Sequence, residues 1–217
     1  MTKRLSEKTL HRLTRLLSAP MIRVDCGRLC APANDGLPQC CDPRITVPIL
    51  YADEFAWHSR TGSQWRRYKP KKKADRKWVS ELDPYYVPAV CRSPKQCDRS
   101  RRALVCRMFP FEPYVDRRGR LRGLVYHDVK TERCPLIGRS QRLFYAEYVR
   151  RSLVFWSEVF RKVPTEHELY ARESRKRRRR CRRKGRKLRL ITPGRCSDRP
   201  RTWRVSGGGV LLASTRR

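Results

Sequence analysis

The residues of this chain best suited to chemistry are its ten cysteines: Cys26, Cys30, Cys40, Cys41, Cys91, Cys97, Cys106, Cys134, Cys181 and Cys196. Eight fall between residues 26 and 134, and four of those crowd into residues 26–41. Cys40 and Cys41 are adjacent, and vicinal cysteines rarely bridge each other because the disulfide distorts the peptide between them. Thiolates are the soft donors that zinc and iron–sulfur clusters prefer. Four enclose one ion or one cluster; eight suffice for two centres, or for one centre plus structural thiols. The ligand set expected from clustering is Cys26, Cys30, Cys40, Cys41, Cys91, Cys97, Cys106 and Cys134, and the group it would hold is zinc or iron, the latter also as an iron–sulfur cluster. Cys181 lies in an arginine run and Cys196 in a loose tail, so both read as free thiols. His58 and His127 are the imidazoles nearest the cysteine regions; either could complete a site, and the plainer expectation is that they face solvent or are hydrogen-bonded. The spacing follows none of the short zinc-finger patterns.

Two blocks give the pattern more content. Cys26, Cys30, Cys40 and Cys41 form an opening cluster that ends in a vicinal pair. Downstream, Cys91 and Cys97 lead into Arg102-Ala-Leu-Val-Cys-Arg-Met-Phe-Pro110, and Gly123-Leu124 is followed by Cys134-Pro135. Over about residues 22–137 the chain resembles the YkgJ-type cysteine-cluster proteins, a zinc- or iron-chelating family with a CxxCxxxCC-type signature and an RPxxCRxFP segment. Here the opening spacing is longer, Cx3Cx9CC, and Ala103 stands where the family has proline. The resemblance implies metal binding and supplies no reaction. A related group, the flagellin lysine methylases, shares a cysteine motif of this kind, which keeps a metal-dependent protein-modifying enzyme as one alternative. Arg102 and Arg107 flank Cys106. They are placed either to offset thiolate charge or to pair with Glu112 or Asp116. Phe109, Pro110 and Phe111 are expected to shield the centre from water.

The net charge is +34 over 217 residues. Residues 172–217 hold 19 Lys/Arg against 2 Asp/Glu, which is half of the excess. A charge of this size attracts polyanions. Two basic stretches, 65–78 with its interleaved aromatics and 175–189, are the candidate nucleic-acid surfaces. A second alternative is therefore a nucleic-acid-associated protein in which the metal is only a scaffold. There is no apolar run long enough to span a bilayer and no secretory h-region, so the expectation is a cytoplasmic protein. In that reducing compartment clustered cysteines ligate metal more often than they pair. Walker, GxGxxG, GxSxG and HExxH motifs are all missing from the sequence.

The elements that must position the thiols follow from periodicity. Residues 1–20 predict an amphipathic helix with Ser6 as its cap and Leu10, Leu13 and Leu17 on one stripe. Four prolines make residues 21–50 mostly loop, with a short strand near Ile45–Leu50. Residues 51–60 predict a helix, 62–78 an exposed excursion, and 115–126 a hairpin. Residues 142–162 predict the clearest helix, with Ala146, Val149, Leu153, Trp156 and Phe160 on one face and i,i+4 pairs Glu147–Arg151 and Glu158–Lys162. Pro164 stops it, and a capping box at Thr165–Glu168 starts another helix running to about residue 180. The expected fold is α+β: a small irregular metal-stapled cysteine-cluster domain over 21–140, a helical pair over 141–184 packed on it, and a flexible basic tail over 185–217.

Overall fold

Ser6 accepts a hydrogen bond from the Thr9 amide and so caps helix α1 (Glu7–Leu16), whose stripe of Leu10, Leu13 and Leu17 is buried. The computed structural model describes residues 4–62, 64–127, 134–200, 203–206 and 209–212. It is an α+β structure with small sheets. After α1 come a one-turn helix α2 (Cys26–Cys30), strand β1 (Ile49–Tyr51), helix α3 (Ala52–Arg60), strand β2 (Trp65–Arg67), helix α4 (Lys73–Ser80) and strand β3 (Tyr86–Cys91). β3 lies between β1 and β2 in a three-stranded antiparallel sheet, with Leu50 opposite Val87 and Trp65 opposite Cys91. A five-residue helix α5 (Leu104–Met108) leads into the hairpin β4 (Phe111–Val115) and β5 (Leu121–Tyr126). Helices α6 (Ala146–Lys162) and α7 (Pro164–Arg183) follow, and a terminal hairpin pairs β6 (Trp203–Ser206) with β7 (Gly209–Leu212).

Two apolar clusters organise these elements. The larger joins Leu10 and Leu13 of α1, Phe111 and Leu124 of the hairpin, and Tyr148, Phe155, Trp156 and Val159 of α6. The smaller joins Leu50, Trp65, Ala89 and Ala103, with Cys91 and Cys106 packed against it. Among the described residues no helix is long and apolar enough to cross a membrane.

Several local expectations are corrected. The strand near Ile45–Leu50 begins only at Ile49, because Asp42, buried at the end of a tight turn, binds the Arg44 side chain in a fork and the Arg44 amide, and so fixes the preceding loop. Glu147 does pair with Arg151 at 2.7 Å, but Glu158 is buried and meets Arg12 of α1 at 2.8 Å. That ion pair ties the two helices across the core edge. Helix α7 starts at Pro164, a residue whose fixed φ suits the first helical position, so Val163 is its cap and the capping box at Thr165 does not form. The basic segment after 185 is not all loose. Ile191 is buried, and it exchanges hydrogen bonds with Leu124, amide to carbonyl, at 2.9 and 2.8 Å. The Gly207-Gly208-Gly209 stretch, read as flexible, lies for its first two residues outside the described ones.

The docking of Ile191 depends on Gly123. A Cβ there would stand 2.9 Å from the Ile191 carbonyl oxygen. Gly123→Ala is expected to cost about 1–3 kcal/mol in urea unfolding and to speed amide exchange at Leu124 and Ile191. Unchanged exchange at both amides would show that the segment is not held there.

A candidate thiol-lined metal centre

Cys26 and Cys30 sit four residues apart at the two ends of α2, the spacing that puts both side chains on one helix face. Asp25 caps that helix, accepting from the Gly27 amide at 3.0 Å, and is itself held by Arg99. Gly27 packs tightly against the following turn: a Cβ would lie 3.1 Å from Pro38. That close approach brings the turn Gln39–Cys41, and with it the vicinal pair, onto α2. The Cys40 and Cys41 sulfurs are 4.0 Å apart. This is far beyond a disulfide bond and close to the edge of a tetrahedral zinc–thiolate centre, about 3.8 Å for ~2.3 Å bonds.

The other four thiols arrive from separate elements. Cys91 ends β3 and accepts a hydrogen bond from the Gln64 amide nitrogen at 3.3 Å. Cys97 accepts from Arg102 Nε at 3.1 Å. Cys106 is carried by α5, whose first amide, Leu104, donates to buried Glu54 at 2.7 Å. Cys134 follows the hairpin and opens the turn in which the Ile137 amide donates back to its carbonyl.

All eight line a single cavity of about 390 Å³. Arg44, Gln64, Arg102, Phe109 and Pro110 share its wall, and among the described residues no carboxylate or imidazole does. Cys181 and Cys196 lie elsewhere, as do His58 and His127. His58 is buried beside Glu54 at 3.8 Å, and His127 faces Glu112 at 3.8 Å. Phe111 is also absent from the wall. It turns into the main core against Phe144, 4.9 Å between ring centres, because strand alternation sends it opposite to its neighbour. Arg102 takes the thiol-facing role, while Arg107 donates to the Arg102, Arg99 and Ser100 carbonyls. Glu112 and Asp116 are engaged elsewhere: Arg177 pairs with the first, and Arg120 and Arg122 with the second.

The eight thiols surround the space without closing on one point. Among the described residues no three His, Cys, Asp or Glu side chains stand close enough together to ligate one ion. All ten cysteines are free thiols. Burial pushes most of the cavity thiols toward the neutral form. Cys26 is raised to about 11 by burial, against the pull of Arg102. Cys106 is raised by burial and by its neighbours Cys41 and Glu54. Cys30, Cys91 and Cys134 are raised by burial as well. Within the vicinal pair the shared hydrogen bond raises Cys40 and lowers Cys41, so Cys41 ionises first.

Of the basic stretch 65–78, Trp65 is unable to stack a base. It is 4 % exposed in the smaller cluster, with its indole N–H donating to the Arg101 carbonyl. Tyr68 donates to Asp75, and Arg67 lies over Phe55. Gln64 and Glu54 are supporting residues that the sequence reading missed. Their partners are 27 and 50 residues away, and no local pattern marks them.

No family model, curated protein or solved structure matches this chain.

The raised Cys26 gives a pH dependence with a definite sign. Below pH 9 the folded and the unfolded chain both hold its proton. Between pH 9 and 11 only the folded chain keeps it, so unfolding gains. The metal-free protein should lose on the order of 2 kcal/mol through Cys26 across that interval. The check is urea unfolding at both ends of the interval, where Cys26→Ala should show a smaller loss than the parent. Equal losses would mean that Cys26 titrates normally.

Proposed function

We propose that the cavity binds zinc or iron through thiolates, in the iron case as an iron–sulfur cluster, and that the chain is a cysteine-cluster protein of the YkgJ type over about residues 22–137. One observation carries the reading. Eight cysteines from five separate stretches of chain line the same cavity, while the two cysteines outside the motif region do not.

The donor set fits such a group. It is all sulfur, the choice of zinc and of iron–sulfur clusters rather than of magnesium or calcium. The cavity of about 390 Å³ has room for one ion, for two, or for a cluster. The vicinal pair already has the separation of two ligands on one tetrahedral centre. When bound, zinc would staple the irregular loops, and an iron–sulfur cluster would add an electron-carrying group.

The chain's own contribution is electrostatic and protective. Each ligating thiol must give up its proton, and a tetrathiolate centre is then strongly anionic. Arg102 answers that charge. Burial works against its positive form, but its bond to Cys97 and the nearby thiols more than compensate and hold the guanidinium charged. Gln64 orients Cys91 by donating to it. Phe109 and Pro110 give the wall an apolar section that limits water.

Purification without oxygen, followed by metal and sulfide analysis and a visible spectrum, tests the reading. Zinc without colour, or iron and sulfide with broad visible absorbance, is the expected result. Joint Cys40→Ser and Cys41→Ser replacement should abolish the bound metal, whereas joint Cys181→Ser and Cys196→Ser replacement should leave it unchanged. A folded protein that carries no metal and takes none up on reconstitution would overturn the proposal.

A further inference from the structure

The arginines of α7 divide by face. Toward the hairpin, Ser174 accepts the Val115 amide at 3.0 Å, Arg177 pairs with Glu112, and Arg178 donates to the Val115 carbonyl at 2.8 Å while lying over the Tyr114 ring. These residues are struts. On the opposite face Arg172, Arg175, Arg179 and Arg182 are exposed and recur at intervals of three, four and three residues, one stripe of a helix. Arg183 continues it. The nearby acid Glu173 is taken by Lys176 at 2.8 Å, and among the described residues the four stripe arginines face no carboxylate at ion-pair distance.

We infer that this stripe is a docking surface for the phosphate backbone of double-stranded nucleic acid, bound without regard to sequence. The stripe runs about 15 Å, at 1.5 Å per residue. A duplex presents one negative charge per ~1.7 Å of axis, both strands counted, so about nine phosphates lie within that length and a part of them on the side that meets the stripe. Guanidinium forks suit phosphate oxygens in a way ammonium groups do not. No aromatic side chain lies on this face to stack unpaired bases, which favours a duplex over a single strand. It has no apolar anchor of the kind that an interfacial membrane helix or a protein interface needs. The apolar side of α7 is already spent on Trp156 and Phe160 of α6, which meet Tyr170.

The test must separate a placed surface from mere net charge. Binding of the full-length protein to short DNA and RNA duplexes is measured by fluorescence anisotropy over a range of salt. Three versions are compared: the parent; Arg175→Gln, Arg179→Gln, Arg182→Gln; and Lys71→Gln, Lys72→Gln, Lys73→Gln, which removes equal charge from another exposed site. The arginine variant should keep its fold by circular dichroism and its metal content. It should lose on the order of 10²-fold in DNA affinity at 0.1 M salt, with the slope of log K against log salt shallower by about 2.7. The lysine variant should stay close to the parent. The RNA arm shows whether the surface accepts both backbones; the inference holds for either. Equal losses in both variants, parental binding by the arginine variant, or tighter parental binding to phosphatidylserine vesicles than to either duplex at matched phosphate would overturn it.

Discussion

The thiol cavity depends on one buried hydrogen bond, from the Leu104 amide to the Glu54 carboxylate at 2.7 Å. Helix α5 is only five residues long, so most of its amides lack intrahelical partners. The residue before it, Ala103, has no side-chain oxygen to cap it. Glu54 supplies the missing acceptor from α3, fifty residues earlier, and places negative charge where the helix dipole favours it. The far end of α5 is held by Tyr148 of α6, whose hydroxyl donates to the Arg107 carbonyl at 2.8 Å. The helix that carries Cys106 is thus clamped between the two apolar clusters. One side of the clamp sets where α3 and the three-stranded sheet sit, and with them Cys91. The other sets the hairpin and α6. The cavity is the space left where those two bodies meet the loops of residues 26–41.

That placement has an electrostatic cost. Burying thiols is cheap while they are neutral and expensive once they ionise. The raised values at Cys26, Cys30, Cys91, Cys106 and Cys134 express this, and Arg102 is the cation aimed into the wall to oppose it. Cys41 is lowered instead, by its hydrogen bond with its vicinal neighbour Cys40. The guanidinium of Arg102 is in place for the negative charge that ionised thiols would bring into the wall.

What could be read from the sequence was what depends on short spacing. Helices α1 and α6 were legible because their stripes repeat every three or four residues, and Ser6 marks the first start. The hairpin was legible from its turn. The separation of eight cysteines from Cys181 and Cys196 was legible because Cys181 lies in an arginine run and Cys196 in the basic tail segment, both outside residues 26–134. Long-range partnership was not legible. Glu158 looks like a surface partner for Lys162, but its true neighbour is Arg12, on the first helix of the chain. Trp65 looks like part of a basic, exposed stretch because Arg66 and Arg67 follow it. In a strand alternate residues face opposite ways, and Trp65 faces inward. Ile191 hides in a basic segment for a different reason: Leu188, Leu190 and Ile191 make too short a run to show a period, and the open backbone beside Gly123 gives Ile191 its place.

The charge of +34 is, on this structure, several different things. Arg102 is a partly buried cation whose partners are sulfurs. Arg44 and Arg99 fix the carboxylates that shape the loops carrying the first four cysteines. Arg177 and Arg178 fasten α7 to the hairpin. Composition cannot distinguish these from the outward arginines of α7, since all are the same residue in the same kind of run. Geometry distinguishes them by whether the guanidinium donors are spent. Where they are spent on a carbonyl, a carboxylate or a thiol, removing the side chain weakens the fold or the cavity. Where they face water in a regular row, the fold does not need them, and their spacing is the only feature left to explain.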